Sequence, residues 1–409
     1  MLLTKTIKIN ILPDDVQASQ LYELSEQYRK ACNYVSEHIF NNGFDINSNR
    51  LSKVLYKDIR ETFGLKSQIT QSVIRTVTAK YKAVKEQLFR SPLKFVDSDS
   101  KFYSIPKTLE WLCKPILFKT LQADLVRRSD YCFLLKRNQI SLNTLSDRVK
   151  VNYIVPEVFY EYFMGGWSFG TAKLLENNGK WFLHIPVSKE FEEFDKTKIK
   201  HVVGIDRGLR FITTEYDERG KTSFISGKDI TRIRNKYSKL RTDLQSRGTK
   251  SAKRVLRRIS HRENCWMSDV NHCISKTLVE KYGPNTLFVL EDLVNVSFDE
   301  RTNNRRKSQK RELHSWAFYQ LEQYLTYKAR MNDSEVITVS AKYTSQRCPK
   351  CGSIDKSFRN RKEHLYSCRN CGYKSNDDRI GAMNIQQLGT QWVSGIENPR
   401  FTRLINPPE

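Results

Sequence analysis

The sequence contains no long apolar run. Across its 409 residues, no apolar stretch approaches the roughly 18 residues of a membrane-spanning helix. The N-terminal stretch MLLTKTIKIN interleaves polar residues too densely for a signal sequence. We therefore expect neither a spanning helix nor a cleaved leader. Apolar residues still make up 39% of the chain, as in folded globular proteins, and the length suits two or more domains.

Acidic residues are few relative to basic ones. The chain has 45 Asp and Glu against 70 Lys and Arg, a formal net charge of +25. An excess of this size attracts polyanions over long distances, and nucleic acid is the large polyanion that it favours. A basic surface that serves only solubility is the alternative, and a membrane surface is less favoured.

Cysteine is present, but not in the arrangement of a disulfide framework. Four of the nine cysteines are clustered near residue 360, and the rest are scattered in apolar contexts. This distribution indicates reduced thiols in a cytoplasm-like compartment. The scattered ones are interpreted as small core residues: Cys32, Cys113, Cys132, Cys265 and Cys273.

The first half of the chain changes its pattern twice. Residues 1–13 alternate polar and apolar side chains, which predicts a half-buried strand. Residues 14–90 have apolar side chains at helical spacing, with Asp14 as a helix cap and a second helical region from about 51 to 88. Residues 91–196 contain short apolar runs broken by turns. They predict antiparallel strands that complete a barrel-like sheet with the first strand.

Residues 197–341 predict an α/β unit. Three strand candidates follow one another from residue 201, and a long helical stretch comes next. The strands NTLFVLEDL and EVITVS then enclose a helix over residues 313–331. A three-stranded meander followed by strands alternating with helices is the element order of an RNase H-like α/β fold.

Two stretches concentrate the positive charge. Residues 228–262 hold 13 Lys or Arg against 2 Asp or Glu, and their apolar stripe predicts a helical hairpin with one face on the body and one cationic face. A solvated charged face is the ordinary interpretation, whereas a phosphate backbone is the natural counter-charge. Residues 301–312 hold 6 basic residues and predict a mobile loop that meets nucleic acid, with plain disorder as the alternative.

Two acids end predicted buried strands. Asp206 follows the apolar run VVGI, and Glu291 follows LFVL. A turn-forming Asp is the ordinary interpretation of Asp206. However, a carboxylate at the end of a buried strand is unfavourable unless it is paired or bound to a metal. Two such positions in one predicted sheet favour a functional site.

A third acid comes from the predicted helix NDDRIGAMNI. Asp378 shares a face with Gly381, and small residues there would let the helix approach the sheet. Asp377 points about a quarter-turn away and is interpreted as a first-turn acid that complements the helix dipole. Convergent carboxylates match Mg²⁺ or Mn²⁺, and two such ions about 4 Å apart can promote phosphodiester hydrolysis. The predicted catalytic and magnesium-binding residues are Asp206, Glu291 and Asp378.

Four cysteines have the spacing of a zinc ribbon. They form two C-x-x-C pairs, each followed by a glycine that permits a tight turn around a metal. Disulfides or free thiols are the alternative. Four thiolates close the coordination sphere, so the zinc is predicted to be structural, and His364 in the intervening loop is interpreted as a loop residue. The predicted zinc ligands are Cys348, Cys351, Cys368 and Cys371.

Five motifs carry a resemblance to a known family. In chain order they are GIDRG, VLEDL, YTSQRCPKCG, YSCRNCGY and NDDRIGAMNI. Over residues 200–390 the chain resembles the RuvC-like nuclease half of the transposon-encoded TnpB proteins and the related compact type V CRISPR effectors. The resemblance implies RNA-guided cleavage of DNA in a prokaryotic cytoplasm, at the nucleoid. The implied partners are a guide RNA and target double-stranded DNA, bound by a monomer with one RNA.

The resemblance also implies a domain plan. A wedge β-barrel comprises residues 1–13 and 91–196, and a helical recognition domain lies between them at residues 14–90. An RNase H-like RuvC nuclease domain follows at 197–341. The chain then continues as a target-binding zinc ribbon (342–374), a final RuvC helix (375–395) and a tail (396–409).

One departure and two alternatives accompany the resemblance. The family commonly has Asn-Ala-Asp where this chain has Asn376, Asp377 and Asp378, which leaves the choice between the two acids open. The register of Ala382 and Asn384 with the family pattern favours Asp378. A compact CRISPR effector is the nearest alternative function. A non-cleaving RNA-guided DNA-binding repressor is the alternative from another class.

Overall fold

A computed structural model describes residues 2–96, 102–293, 318–360 and 363–402. The chain divides into two compact units, residues 1–190 and 191–409. The basic stretch predicted as a loop at 301–312 lies outside the described residues. Among the helices that the structure describes, none has the length and apolarity needed to cross a membrane.

The first unit is built around strand β1 (Leu2–Leu12). Ile7, Ile9 and Ile11 are buried on one face of β1, which confirms the predicted alternation. β1 lies inside an eight-stranded antiparallel sheet of order β4-β9-β10-β1-β7-β6-β5, with β8 paired to β10. The other strands of this sheet are β4 (Gln122–Leu125), β5 (Tyr131–Leu134), β6 (Gln139–Asn143), β7 (Arg148–Ile154), β8 (Ser168–Phe169), β9 (Ala172–Asn177) and β10 (Lys180–Glu190).

Three helices and a small hairpin complete this unit. Asp14 forms a capping box with Gln17 and begins the first helix, as predicted. The second helical region is two helices, because Gly64 adopts a left-handed conformation (φ 64°) that ends the first of them. The helices are α1 (Asp15–Asn41), α2 (Ser48–Phe63) and α3 (Ser67–Phe89); the hairpin is β2 (Leu93–Val96) and β3 (Phe102–Ile105); a short α4 (Tyr160–Met164) precedes β8. Their buried side chains and those of the sheet form one core.

The second unit contains a mixed five-stranded sheet of order β13-β12-β11-β14-β15. β11 is antiparallel to β12 and parallel to β14, which is parallel to β15. The strands are β11 (His201–Asp206), β12 (Phe211–Tyr216), β13 (Thr222–Ser226), β14 (Thr286–Glu291) and β15 (Glu335–Val339); the helices are α5 (Lys228–Arg247), α6 (Lys250–Ile259), α7 (Arg262–Tyr282), α8 (Phe318–Met331) and α9 (Asp377–Val393).

Helices cover both faces of this sheet. Val203, Ile205 and Leu290 face the core that contains side chains of α7 and α8. Leu287 and Val289 face the opposite core, which contains side chains of α9. Between β15 and α9 lies a three-stranded sheet of β16 (Arg359–Asn360), β17 (Leu365–Ser367) and β18 (Lys374–Asn376). This small sheet and the four clustered cysteines form the module that we call the ribbon.

Candidate functional site

Asp206 and Glu291 are the last residues of two neighbouring parallel strands. β11 pairs with β14 so that Ile205 lies opposite Leu290, and the next residue of each strand is the acid. The carboxyl ends of parallel strands meet at one edge of a sheet. The structure therefore brings these two predicted site residues together.

Glycines allow α9 to lie directly on this edge. A Cβ atom at Gly204 in β11 would overlap the Ala382 carbonyl oxygen of α9. A Cβ atom at Gly381 would lie only 2.7 Å from Oδ2 of Asp206. The helix backbone thus occupies the space of the missing side chains, and the close approach predicted from the small residues is present.

Asp378 is in the first turn of α9, one turn before Gly381. The Asn376 side chain caps the helix by accepting hydrogen bonds from the backbone N–H groups of Asp378 and Arg379, at 3.0 and 3.1 Å. The Asp378 side chain is 15% exposed. Burial raises its pKa, and the neighbouring Asp377 carboxylate raises it further.

The three predicted acids interact electrostatically. Burial raises the pKa of Asp206 well above its usual range, and the charges of Glu291 and Asp378 add to this rise. Burial also raises the pKa of Glu291, while a hydrogen bond from the Thr344 hydroxyl opposes that rise. The three acids are thus a repulsive cluster of the kind that a divalent cation relieves.

The carboxylate oxygens of Asp206, Glu291 and Asp378 do not all lie within 4.8 Å of one another. In the described part of the chain, two groups have potential ligand atoms that all lie within 4.8 Å of one another. One group is the four clustered cysteines, and the other is His364, Asp377 and Asp378. Asp206 and Glu291 therefore share the sheet edge with Asp378 without joining such a group among the described residues.

Arg207, to which the sequence analysis gave no role, links three elements at this edge. Its guanidinium donates to the Glu291 carbonyl oxygen at 2.5 Å and to the Glu322 carboxylate at 2.9 Å. A third bond reaches the Phe318 carbonyl oxygen at 3.2 Å. The Arg207 side chain is 2% exposed, so the ends of β11, β14 and α8 are held together by a buried charge.

Asp377 faces the ribbon. Its side chain is fully buried, and its Oδ2 accepts a hydrogen bond from Nε of Arg359 at 2.8 Å. Its Oδ1 lies 3.3 Å from Nδ1 of His364. Sequence reasoning assigned Asp377 to the helix dipole and His364 to a loop, because a contact between segments folded from different parts of the chain leaves no local pattern.

The four clustered thiols face one another. Sγ of Cys348 is 3.6 Å from Sγ of Cys371, and Sγ of Cys351 is 3.5 Å from Sγ of Cys368. A disulfide needs about 2.05 Å, whereas a tetrahedral zinc with Zn–S bonds of about 2.3 Å separates its sulfurs by about 3.8 Å. The geometry therefore excludes these disulfides, and the four thiols could hold zinc.

The basic hairpin predicted over residues 228–262 is formed by α5 and α6. Leu244, Ala252 and Ile259 make a small core between the two helices. Only the start of the hairpin, at Ile230, packs against the sheet-side core. The apolar stripe therefore mainly joins the helices to each other, which corrects the expectation that it lies on the body.

Two segments of the chain match family models. Residues 184–296 match OrfB_IS605, a probable transposase, and residues 318–385 match the Cas12f1-like TNB domain. A TnpB-like protein of Methanocaldococcus jannaschii is 28% identical over 261 residues, which cover 61% of this chain and 90% of that protein. The chain is therefore similar to proteins of the TnpB family.

The chain is also similar to CRISPR-associated endodeoxyribonucleases. The CRISPR-associated endodeoxyribonuclease Cas12f1 of Sulfoacidibacillus thermotolerans is 22% identical over 350 residues, which cover 80% of this chain and 78% of that protein. A Cas12f1 chain solved by cryo-electron microscopy with sgRNA and target DNA matches with a TM-score of 0.56 at 13% identity, covering 90% of this chain and 82% of that chain. At 13% identity this likeness shows a shared fold alone.

Proposed function

We propose that this protein is a TnpB-type, RNA-guided DNA endonuclease of the transposon kind. It would bind a guide RNA and hydrolyse phosphodiester bonds in target double-stranded DNA. The observation that carries the proposal is the meeting of Asp206, Glu291 and Asp378 at one sheet edge. The names of the relatives and the RNA and DNA in the Cas12f1 complex support it. The net charge of +25 suits both nucleic-acid partners.

Asp206, Glu291 and Asp378 are the proposed catalytic residues and would hold Mg²⁺ or Mn²⁺. Their carboxylate oxygens are the ligands that such ions prefer, and their mutual repulsion would be relieved on binding. When bound, two such ions supply a water-derived nucleophile and stabilise the charge that develops at phosphorus. The chain itself would position these acids. The absence of a side chain at Gly381 leaves room for Asp206, and the Thr344 hydroxyl donates a hydrogen bond to Glu291.

The ribbon is proposed to hold one structural Zn²⁺ through Cys348, Cys351, Cys368 and Cys371. Its apolar cluster is small and includes Phe358, Tyr366 and Ile380. A module with so few buried side chains needs a metal to fold. Ile380 belongs to α9, so the ribbon would also anchor the helix that carries Asp378.

The domain plan is proposed from the observed elements. The strand order β13-β12-β11-β14-β15 supports an RNase H-like nuclease domain at residues 197–341. The eight-stranded sheet supports a wedge at residues 1–13 and 91–196, with the recognition helices at 14–90. The cationic helices α5 and α6 would contact phosphate groups.

Plasmid cleavage with co-purified RNA tests the function. The purified complex should cleave a plasmid that contains the guide's target in the presence of Mg²⁺, and Asp206→Asn should abolish cleavage while RNA binding is kept. Asp217→Asn is the matched control, because Asp217 is also buried but caps a turn at the far end of β12. Cleavage by Asp206→Asn, or equal cleavage after RNA removal, would overturn the proposal.

A further inference from the structure

The junction between the ribbon and α9 holds a buried ion pair to which the proposed reaction assigns no role. Asp377 is the first residue of α9 and accepts a hydrogen bond from Arg359 of β16. Its backbone N–H donates to the carbonyl oxygen of His364 at 3.2 Å, and His364 immediately precedes β17. Two neighbouring parts of the ribbon therefore hold the start of the helix.

The same guanidinium extends to the acid cluster. Nη2 of Arg359 lies 3.7 Å from Oδ1 of Asp378, while its Nε is bonded to Asp377. Arg359 therefore contacts Asp377 and lies within ion-pair distance of Asp378, which is one of the proposed catalytic acids.

A metal ion at the His364, Asp377 and Asp378 group is the competing interpretation. Their potential ligand atoms lie within 4.8 Å of one another, which suits an ion. However, the Arg359 guanidinium already lies 2.8 Å from Asp377 and 3.7 Å from Asp378. A divalent cation held by Asp377 would have to displace this guanidinium from its hydrogen bond, so the ion pair and the ion are alternatives at Asp377.

We propose that Asp377 is a positioning residue that holds the Arg359 guanidinium beside Asp378 and thereby fixes the ribbon to the acid cluster. The inference rests on the proposed nuclease function. Without its carboxylate partner, the guanidinium would be free to leave the cluster.

A double-mutant cycle on single-turnover cleavage tests this role. Asp377→Asn should slow cleavage about 10- to 100-fold, as expected for a misplaced group. Combining it with Arg359→Ala should slow cleavage no further than Arg359→Ala alone, within about twofold. The Mg²⁺ concentration for half-maximal rate should not rise with Asp377→Asn, whereas loss of a metal ligand would raise it about tenfold or more. Additive effects or such a rise would overturn the proposal.

Glu215→Gln is the matched control for general damage. Glu215 is 2% exposed and pairs with Lys281, so the change breaks a buried ion pair between β12 and α7 and leaves the junction of the ribbon with α9 intact. It should leave the cleavage rate within about twofold of wild type. If it slows cleavage as much as Asp377→Asn does, the effect of Asp377 is one of stability only and the proposal fails.

Hydrogen–deuterium exchange gives a readout that needs no cleavage. In zinc-loaded protein, Asp377→Asn and Arg359→Ala should each speed exchange at residues 374–382, and the double variant should match the single variants. If the variants show this coupling but wild-type protein does not cleave DNA, the proposed function fails and the contact between Asp377 and Arg359 stands. Protein that cleaves but lacks the coupling would sink the role of Asp377.

Discussion

The carboxylate of Asp206 lies against the backbone of Gly381, one helical turn after Asp378. The distance from Oδ2 to the position of a Cβ atom at Gly381 would be 2.7 Å. Helix α9 thus carries Asp378 and also contacts the side chain of Asp206. We expect substitution of the two glycines at this contact, Gly204 and Gly381, to have different effects on stability and on DNA cleavage.

Gly381→Ala should strongly reduce DNA cleavage without lowering the unfolding midpoint. The added methyl group meets the free end of the Asp206 side chain, which can rotate away, and alanine stabilises a helix interior by about 1 kcal/mol over glycine. We expect an unchanged or higher unfolding midpoint together with DNA cleavage reduced by about 100-fold, because the acid leaves its place. Thermal unfolding and cleavage of the same preparation check both halves. An active Gly381→Ala variant would contradict the seating of Asp206.

Gly204→Ala should have the opposite profile. Here the methyl group meets the α9 backbone at the Ala382 carbonyl oxygen and the Gln386 nitrogen, which cannot rotate away. Forcing the helix from the sheet should lower the free energy of unfolding by about 2 kcal/mol or more. Equilibrium unfolding in urea measures the loss. A stability equal to that of wild type would show that α9 and β11 are farther apart than described.

Removal of zinc should release α9 from the sheet. The ribbon's own apolar cluster is small, so its order depends on the metal. We expect one zinc per chain by metal analysis, and chelation or Cys368→Ser should expose residues 374–393 to proteolysis. Cys273→Ser is the control, because Cys273 is exposed and outside the ribbon. Protection of α9 in metal-free protein would contradict the anchoring role.

Lys328 should make stability depend on pH above neutrality. Burial lowers its pKa from 10.5 to about 8, while its ammonium donates to the His272 carbonyl oxygen and to Ser275. Between pH 8 and 10.5 the unfolded chain binds the proton and the folded chain does not, so this group adds stability as the pH rises through that window. Below pH 8 both states are protonated and the contribution is constant.

The measurement is the difference in unfolding midpoint between wild type and Lys328→Met from pH 7 to 10. The midpoint of wild type should rise relative to that of the variant as the pH increases. Lys198→Met is the control, because Lys198 is 68% exposed in a surface pair. A difference that is flat across this range would show that Lys328 is not perturbed by burial.

Local patterns in the sequence predicted the features that depend on local physics. The alternation at Ile7, Ile9 and Ile11 and the cap at Asp14 were visible because burial and helix capping act over a few residues. The shared edge of Asp206 and Glu291 followed from two apolar runs that each end in an acid. These predictions needed no knowledge of which distant segments meet.

Contacts between distant segments could not be predicted in the same way. Arg359 lies 18 residues before Asp377, and no periodicity connects a ribbon arginine to the first turn of a helix. Arg207 stands next to a predicted site residue, yet its partner Glu322 is 115 residues away. Such pairs depend on the tertiary fold, so the sequence assigned Asp377 to the helix dipole and His364 to a loop without indicating that the two side chains meet.

The contact between β11 and α9 also bears on synthesis. Asp206 is translated about 170 residues before the helix that seats it, and closing so long a segment is slow compared with forming local structure. A nascent chain therefore carries Asp206 and Glu291 well before it carries Asp378. Under the proposed function, the emerging polypeptide would be unable to cut nucleic acid until the ribbon and α9 have left the ribosome, so translation itself would time the completion of the proposed active site.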